Sequence, residues 1–284
     1  MGFFGLYIDP IYLLVFFITL AISIAAQVFM SSTYKKWNQV RNGSDLSGTE
    51  AGYAIVNRTG LGGGRPVPIS TLETPELKKL ADLRDKGLIT EQEYQAKRGK
   101  IEAPQVGDTS LNTSEIEFQR VGGNMTDHYD PRTHTVRLSE GVANRHSVAA
   151  MAIVAHELGH AQQHENNSIL ISMRNFLVPA VSLSPRIAYF LIFIGLIFNL
   201  AGAFWLGVIF YGLMVLFSIV TLPVEFDASI RGRVLLREAG LMVTQEDEAG
   251  SQRVLMAAGA TYVAAAVSAV LQLLYYISIG RRRS

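Results

Sequence analysis

The apolar positions of this chain fall into four long blocks, with polar and charged residues gathered between them. Ile8 to Met30 is nearly uncharged after Asp9 and long enough to cross a bilayer. No Lys or Arg precedes it, whereas Lys35, Lys36 and Arg41 follow it, so it reads as an anchor rather than a cleaved signal peptide. Ile187 to Leu222 carries no charged residue. It is too long for one span and predicts a hairpin of two, turning near Asn199 to Ala203, with the first arm beginning near Phe176. The fourth block, Ala257 to Ile279, is Ala-rich and ends at Arg281-Arg282-Arg283. The alternative for each block is a buried core helix. Length and lack of charge oppose it, least strongly for the fourth.

Other periods appear between the blocks. Lys35 to Val40 reads as an amphipathic neck, and Ser47-Gly48-Thr49-Glu50 is a capping box opening a helix to about Asn57. Gly60 to Gly64 breaks the chain. Thr74 caps a second helix with Pro75 at its first position; Leu77, Leu80 and Leu83 form its stripe and Gly87 ends it. Thr90 to Glu93 is another capping box, opening a helix to about Lys100, and Glu102 to Ser114 is a polar linker. Ile116 to Val121 and Thr135 to Leu138 alternate as strands, with a turn at Gly122-Gly123-Asn124. Ser147 to Gln163 is an apolar helical run. The pattern predicts a mainly α integral membrane protein with about four transmembrane helices and a small sheet over that run.

Composition narrows the chemistry. The mean hydropathy of +0.23 is high for a soluble enzyme, and the net charge of +1 gives no field for nucleic acid. There is no cysteine, which excludes disulfides and thiolate zinc sites.

Inside the apolar run lies His156-Glu157-Leu158-Gly159-His160, the pattern H-E-x-x-H. On a helix, residues i and i+4 share a face, so both imidazoles can address one ion. Glu157, about 100° round from His156, suits a general base acting on water beside a zinc ion. The alternative is a buried helix with two satisfied histidines, which is costly among Val148, Met151, Ile153 and Val154 without partners.

A catalytic zinc takes three protein ligands. His164 shares the face of His156 but lies eight residues on, roughly 12 Å along the axis, too far for the same ion. Gln163 and Asn166 also exclude the longer motif with a third histidine. The third ligand is therefore sought after the hydrophobic hairpin, in Thr221 to Ser229, where two carboxylates at a membrane boundary need partners. Glu225 is the leading candidate. Asp227 faces away from it on a helix and is an outer partner or the true ligand. His128, Tyr129 and Arg231 are candidate oxyanion or substrate contacts. Thr135, Val136, Arg137 and Leu138 are the candidate edge strand for an extended substrate.

Thr126 to Pro131 (TDHYDP), Val136 to Val142 (VRLSEGV), Ala155 to Ala161 (AHELGHA), Thr221 to Ser229 (TLPVEFDAS) and Thr261 to Tyr275 together resemble the bacterial membrane-bound neutral zinc metallopeptidase family often termed YugP-like. The resemblance implies a multi-span, zincin-like (gluzincin) α+β peptidase with one catalytic zinc, His156 and His160 as ligands and Glu157 catalytic, and it supports Glu225. Leu80 to Tyr94 resembles the SHOCT helical hairpin over about residues 72–101, which implies a partner or homo-oligomer contact. Related prenyl-protein endopeptidases carry a carboxylate four residues after the Glu ligand. Here that position is Ser229, and Asp227 is the expected replacement.

The expected organisation is a transmembrane helix (1–31), a neck and short helix (32–62), a linker with the helical hairpin (63–112), a catalytic part (113–168), a transmembrane hairpin (169–222), a third-ligand region (223–256) and a last membrane helix with a basic tail (257–284). The expected activity is hydrolysis of peptide or protein substrates at a bacterial inner membrane. The positive-inside rule, counted over Lys35, Lys36, Arg41, Arg174, Arg186, Arg231, Arg233 and Arg237, puts the site in the cytoplasm. The competing expectations are a non-catalytic zinc scaffold recruiting partners through the helical hairpin, which Glu157 opposes, and a small transporter, whose spans would carry buried ionisable residues.

Overall fold

The computed structural model describes residues 9–63, 75–102 and 115–283. The predicted cap Thr74 and most of the linker, residues 103–114, lie outside them. The described elements are α1 (Pro10–Trp37), α2 (Gly48–Thr59), α3 (Pro75–Asp85), α4 (Glu91–Glu102), β1 (Glu117–Val121), β2 (His128–Asp130), β3 (Thr135–Ser139), α5 (Glu140–Ala143), α6 (Val148–Glu165), α7 (Ile169–Ile197), α8 (Ala201–Glu238) and α9 (Gln245–Arg283). The protein is mainly helical, and α1, α7, α8 and α9 are each long and apolar enough to cross a membrane. The last two run further than the sequence blocks implied. The polar segment after the hairpin continues α8 to Glu238, and α9 begins at Gln245, twelve residues before Ala257.

The chain divides into two compact units. The first comprises the chain to Met30, Ile169–Glu225 and the chain from Ala258. Its core is Ala188 and Ile192 of α7 with Phe204, Val208, Tyr211 and Val215 of α8. Gly207 permits this approach, since a Cβ there would fall 2.8 Å from the backbone nitrogen of Ile192. Phe17 is 60% exposed and Phe176 83%. Apolar faces this open are costly in water and cost nothing in lipid.

The second unit comprises Ser31–Ser168 and Phe226–Ala257. α6 is buried nearly all round, and Ser147 caps it by accepting from Ala150 N–H at 3.1 Å. α2 starts at the predicted capping box, in which Ser47 N–H donates to the Glu50 carboxylate at 2.7 Å. One core joins Leu46, Ile55, Ile116, Val136, Leu138, Met151, Val154, Leu158, Leu235 and Leu241. α3 and α4 form the expected hairpin, closed at Gly87 (φ +68) and capped where Thr90 N–H donates to Glu93.

The sheet corrects one expectation. Its order is β1-β3-β2, with β1 parallel and β2 antiparallel to β3. Thr135, Val136, Arg137 and Leu138 therefore occupy the central strand, buried at four of its five positions, and cannot accept a substrate as an added strand. Both sides of β3 are already hydrogen-bonded, and β1 and β2 hold the two edges instead. Asp127 secures the approach to β2 by accepting from Ser139 N–H at 2.7 Å, and Arg137 pairs with Asp130 at 2.6 Å.

Candidate metal centre

The site is set by how closely two helices approach. A Cβ on Gly159 of α6 would fall 2.2 Å from the carbonyl oxygen of Ala228 in α8. A Cβ on Gly232 of α8 would fall 2.6 Å from that of Ala155. The two small faces, Ala155/Gly159 and Ala228/Gly232, let backbone lie on backbone and bring α8 beside both histidines. Gly159→Val is expected to destabilise the second unit by about 1–3 kcal/mol, read as a lowered thermal midpoint in detergent.

His156 and His160 stand one turn apart on α6, ring centroids 4.8 Å apart and planes at 81°. Glu225 precedes Ser229 by one turn on α8 and is buried. A ring nitrogen from each histidine and a carboxylate oxygen of Glu225 all lie within 4.8 Å of one another. Among the described residues this is the group that forms a possible metal cluster. Two imidazoles and one carboxylate are a donor set that fits zinc.

The partners behind these three donors orient them. His160 Nδ1 lies 2.9 Å from Gln163 Oε1, which accepts only, so Nδ1 carries the proton and Nε2 the lone pair. Gln163 passes the contact on, its Nε2 donating to Asp227 Oδ2 at 2.8 Å. Arg231 Nε donates to the same oxygen at 2.7 Å, and its Nη1 donates to Gln162 Oε1 at 3.2 Å. Ser229 Oγ lies 3.2 Å from His156 Nδ1. Asp227 is thus connected to His160 through Gln163 rather than grouped with the three donors. Ser229, one turn on from Glu225, faces the other imidazole. Gln163 had no signature in the sequence; the small residues at 155/159 and 228/232 did, as paired small-x-x-x-small spacings.

Glu157 is buried, and its Oε2 accepts from the backbone N–H of Tyr129 at 2.9 Å. The general-base candidate is therefore steadied by the edge strand. The Tyr129 phenol points elsewhere, 3.3 Å from His134 Nδ1 and 3.5 Å from His164 Nδ1. Burial first, then the charges of Glu165 and Asp130, push its pKa up to about 12, so it stays a neutral hydroxyl. His128 is exposed, with Nδ1 2.8 Å from the carbonyl of Thr126.

Residues 80–281 match the family described as "Putative neutral zinc metallopeptidase". The chain belongs to that family. It is also similar to "Putative membrane protease YugP" of Bacillus subtilis (strain 168), 36% identical over 165 residues, which covers 58% of this chain and 73% of the relative. No solved structure matches. The chain thus combines membership of a family described as zinc metallopeptidases, four helices apolar enough to cross a membrane and a two-histidine, one-glutamate group that could hold a metal ion.

Proposed function

We propose that this chain is a membrane-anchored, zinc-dependent endopeptidase of the gluzincin kind. His156, His160 and Glu225 hold the ion, and Glu157 is the general base. One observation carries the reading: three donors of zinc-binding type meet within 4.8 Å beside a buried, oriented carboxylate that is not among them. Bound there, zinc supplies a Lewis acid for the scissile carbonyl and lowers the pKa of water toward ~7.

The remaining work falls to the chain. Glu157 takes a proton from water as the water oxygen bonds to the carbonyl carbon. When the C–N bond breaks, Glu157 returns that proton to the leaving nitrogen, giving a new carboxyl terminus and a new amine. The Tyr129 N–H keeps the carboxylate in place through both transfers. Gln163 with Asp227, and Ser229, fix the two imidazoles. An extended peptide is received along the open side of β2, the strand already in contact with the base. The basic residues flanking the apolar helices favour a cytoplasmic site.

Purified full-length protein is expected to carry zinc and to cleave an unfolded protein such as casein. Chelation should remove both properties, and stoichiometric zinc should restore cleavage. Cleavage that persists in metal-free protein would defeat the proposal.

A further inference from the structure

Resting on the peptidase reading, we infer that Arg174 is the positive charge that competes with the metal for Glu225 and donates to the carbonyl oxygen of the substrate as negative charge builds on it. Arg174 lies near the start of α7, a helix whose other charged side chain is Arg186. A charge in such an apolar helix is costly unless it has a partner or a task.

Its geometry supplies both. Nη2 of Arg174 is 3.9 Å from Glu225 Oε1, and the Glu225 side chain is only 3% exposed. That separation is close enough for strong charge attraction and too long for a hydrogen bond. The Nε of Arg174 is buried and makes no hydrogen bond among the described residues. The guanidinium has five N–H donors, so it stands beside the third ligand with donor capacity to spare.

The other candidate donors are engaged. Arg231 is fixed at hydrogen-bond distance by Asp227 and Gln162, whereas Arg174 stands 3.9 Å from its carboxylate; His128 Nδ1 sits on the carbonyl of Thr126, and the Tyr129 phenol faces His134 and His164. Two cations, the guanidinium and the metal, then share one buried carboxylate. With a metal held at Glu225, the guanidinium of Arg174 would keep charge that the carboxylate no longer fully neutralises and would offer it to the oxyanion.

The test compares full-length wild type with Arg174→Gln and Arg174→Lys, each purified in detergent, by chelator-competition zinc affinity and by steady-state peptide cleavage. Arg174→Gln should bind zinc more tightly, on the order of 10-fold, because a like charge has been removed. Its kcat should fall by about 10²–10³ with little change in KM. Arg174→Lys should restore the wild-type zinc affinity and recover part of kcat, since it keeps the charge without the planar fork. Weaker zinc binding in Arg174→Gln would reduce Arg174 to a prop for Glu225 and overturn the inference. So would an unchanged kcat in a wild-type background that cleaves. If wild type binds zinc yet cleaves nothing, the peptidase reading is what fails. The affinity comparison still decides the competition at Glu225: tightening sustains it, and no change removes it.

Discussion

Replacing Glu157 by Gln is expected to lower turnover by about 10²–10⁴ or more while leaving zinc in place. The amide matches the carboxylate in shape and can keep its hydrogen bond from Tyr129 N–H, since the amide oxygen still accepts. It cannot take up a proton at neutral pH. Glu157 is outside the three-donor cluster, so the ion loses no ligand. The variant should therefore fold, bind zinc as wild type does and cleave almost nothing. Loss of zinc with loss of cleavage would make Glu157 a ligand. Cleavage at the wild-type rate would leave no role for it as a base.

The second large effect is expected at Glu225. Glu225→Ala should weaken zinc binding by at least ~10²-fold, since it removes one of three protein ligands and leaves Arg174 beside an apolar gap. Asp227→Asn offers the contrast. Asp227 meets His160 through Gln163, and loss of such outer partners typically costs about 10–100-fold in metal affinity or activity. Competitive zinc titration of the two variants ranks them. Glu225→Ala weaker than Asp227→Asn is the expected order, and the reverse would move the third ligand to Asp227.

Much of this site could be read before any coordinates. The i, i+4 spacing of His156 and His160 fixes a shared helical face, because the period of a helix does not depend on its surroundings. The uncharged block from Ile187 to Leu222 shows as two apolar helices, α7 and α8, with their break near Asn199, as length alone requires. What stayed hidden depends on partners distant in sequence. Alternation in Thr135-Val136-Arg137-Leu138 reports two faces of a strand but says nothing about which strands lie beside it, so the pattern alone does not separate this central strand from an edge.

In the sequence Gln163 stands out only as a break in a longer histidine motif, yet in the fold it links His160 to Asp227. In the sequence Arg174 is a flanking basic charge and nothing more, because Glu225 lies about fifty residues away across two apolar helices. The helix boundaries were blurred for a simpler reason. Polar residues within Thr221 to Ser229 end an apolar block without ending the helix, so hydropathy stops where backbone hydrogen bonding continues.

The most direct measurement is zinc-edge X-ray absorption on the purified full-length chain. One zinc per chain is predicted, with two imidazole nitrogens at about 2.0–2.1 Å and carboxylate oxygen at about 2.0–2.2 Å. Protein that holds no stoichiometric zinc, or zinc whose nearest shell contains no imidazole, would contradict the account.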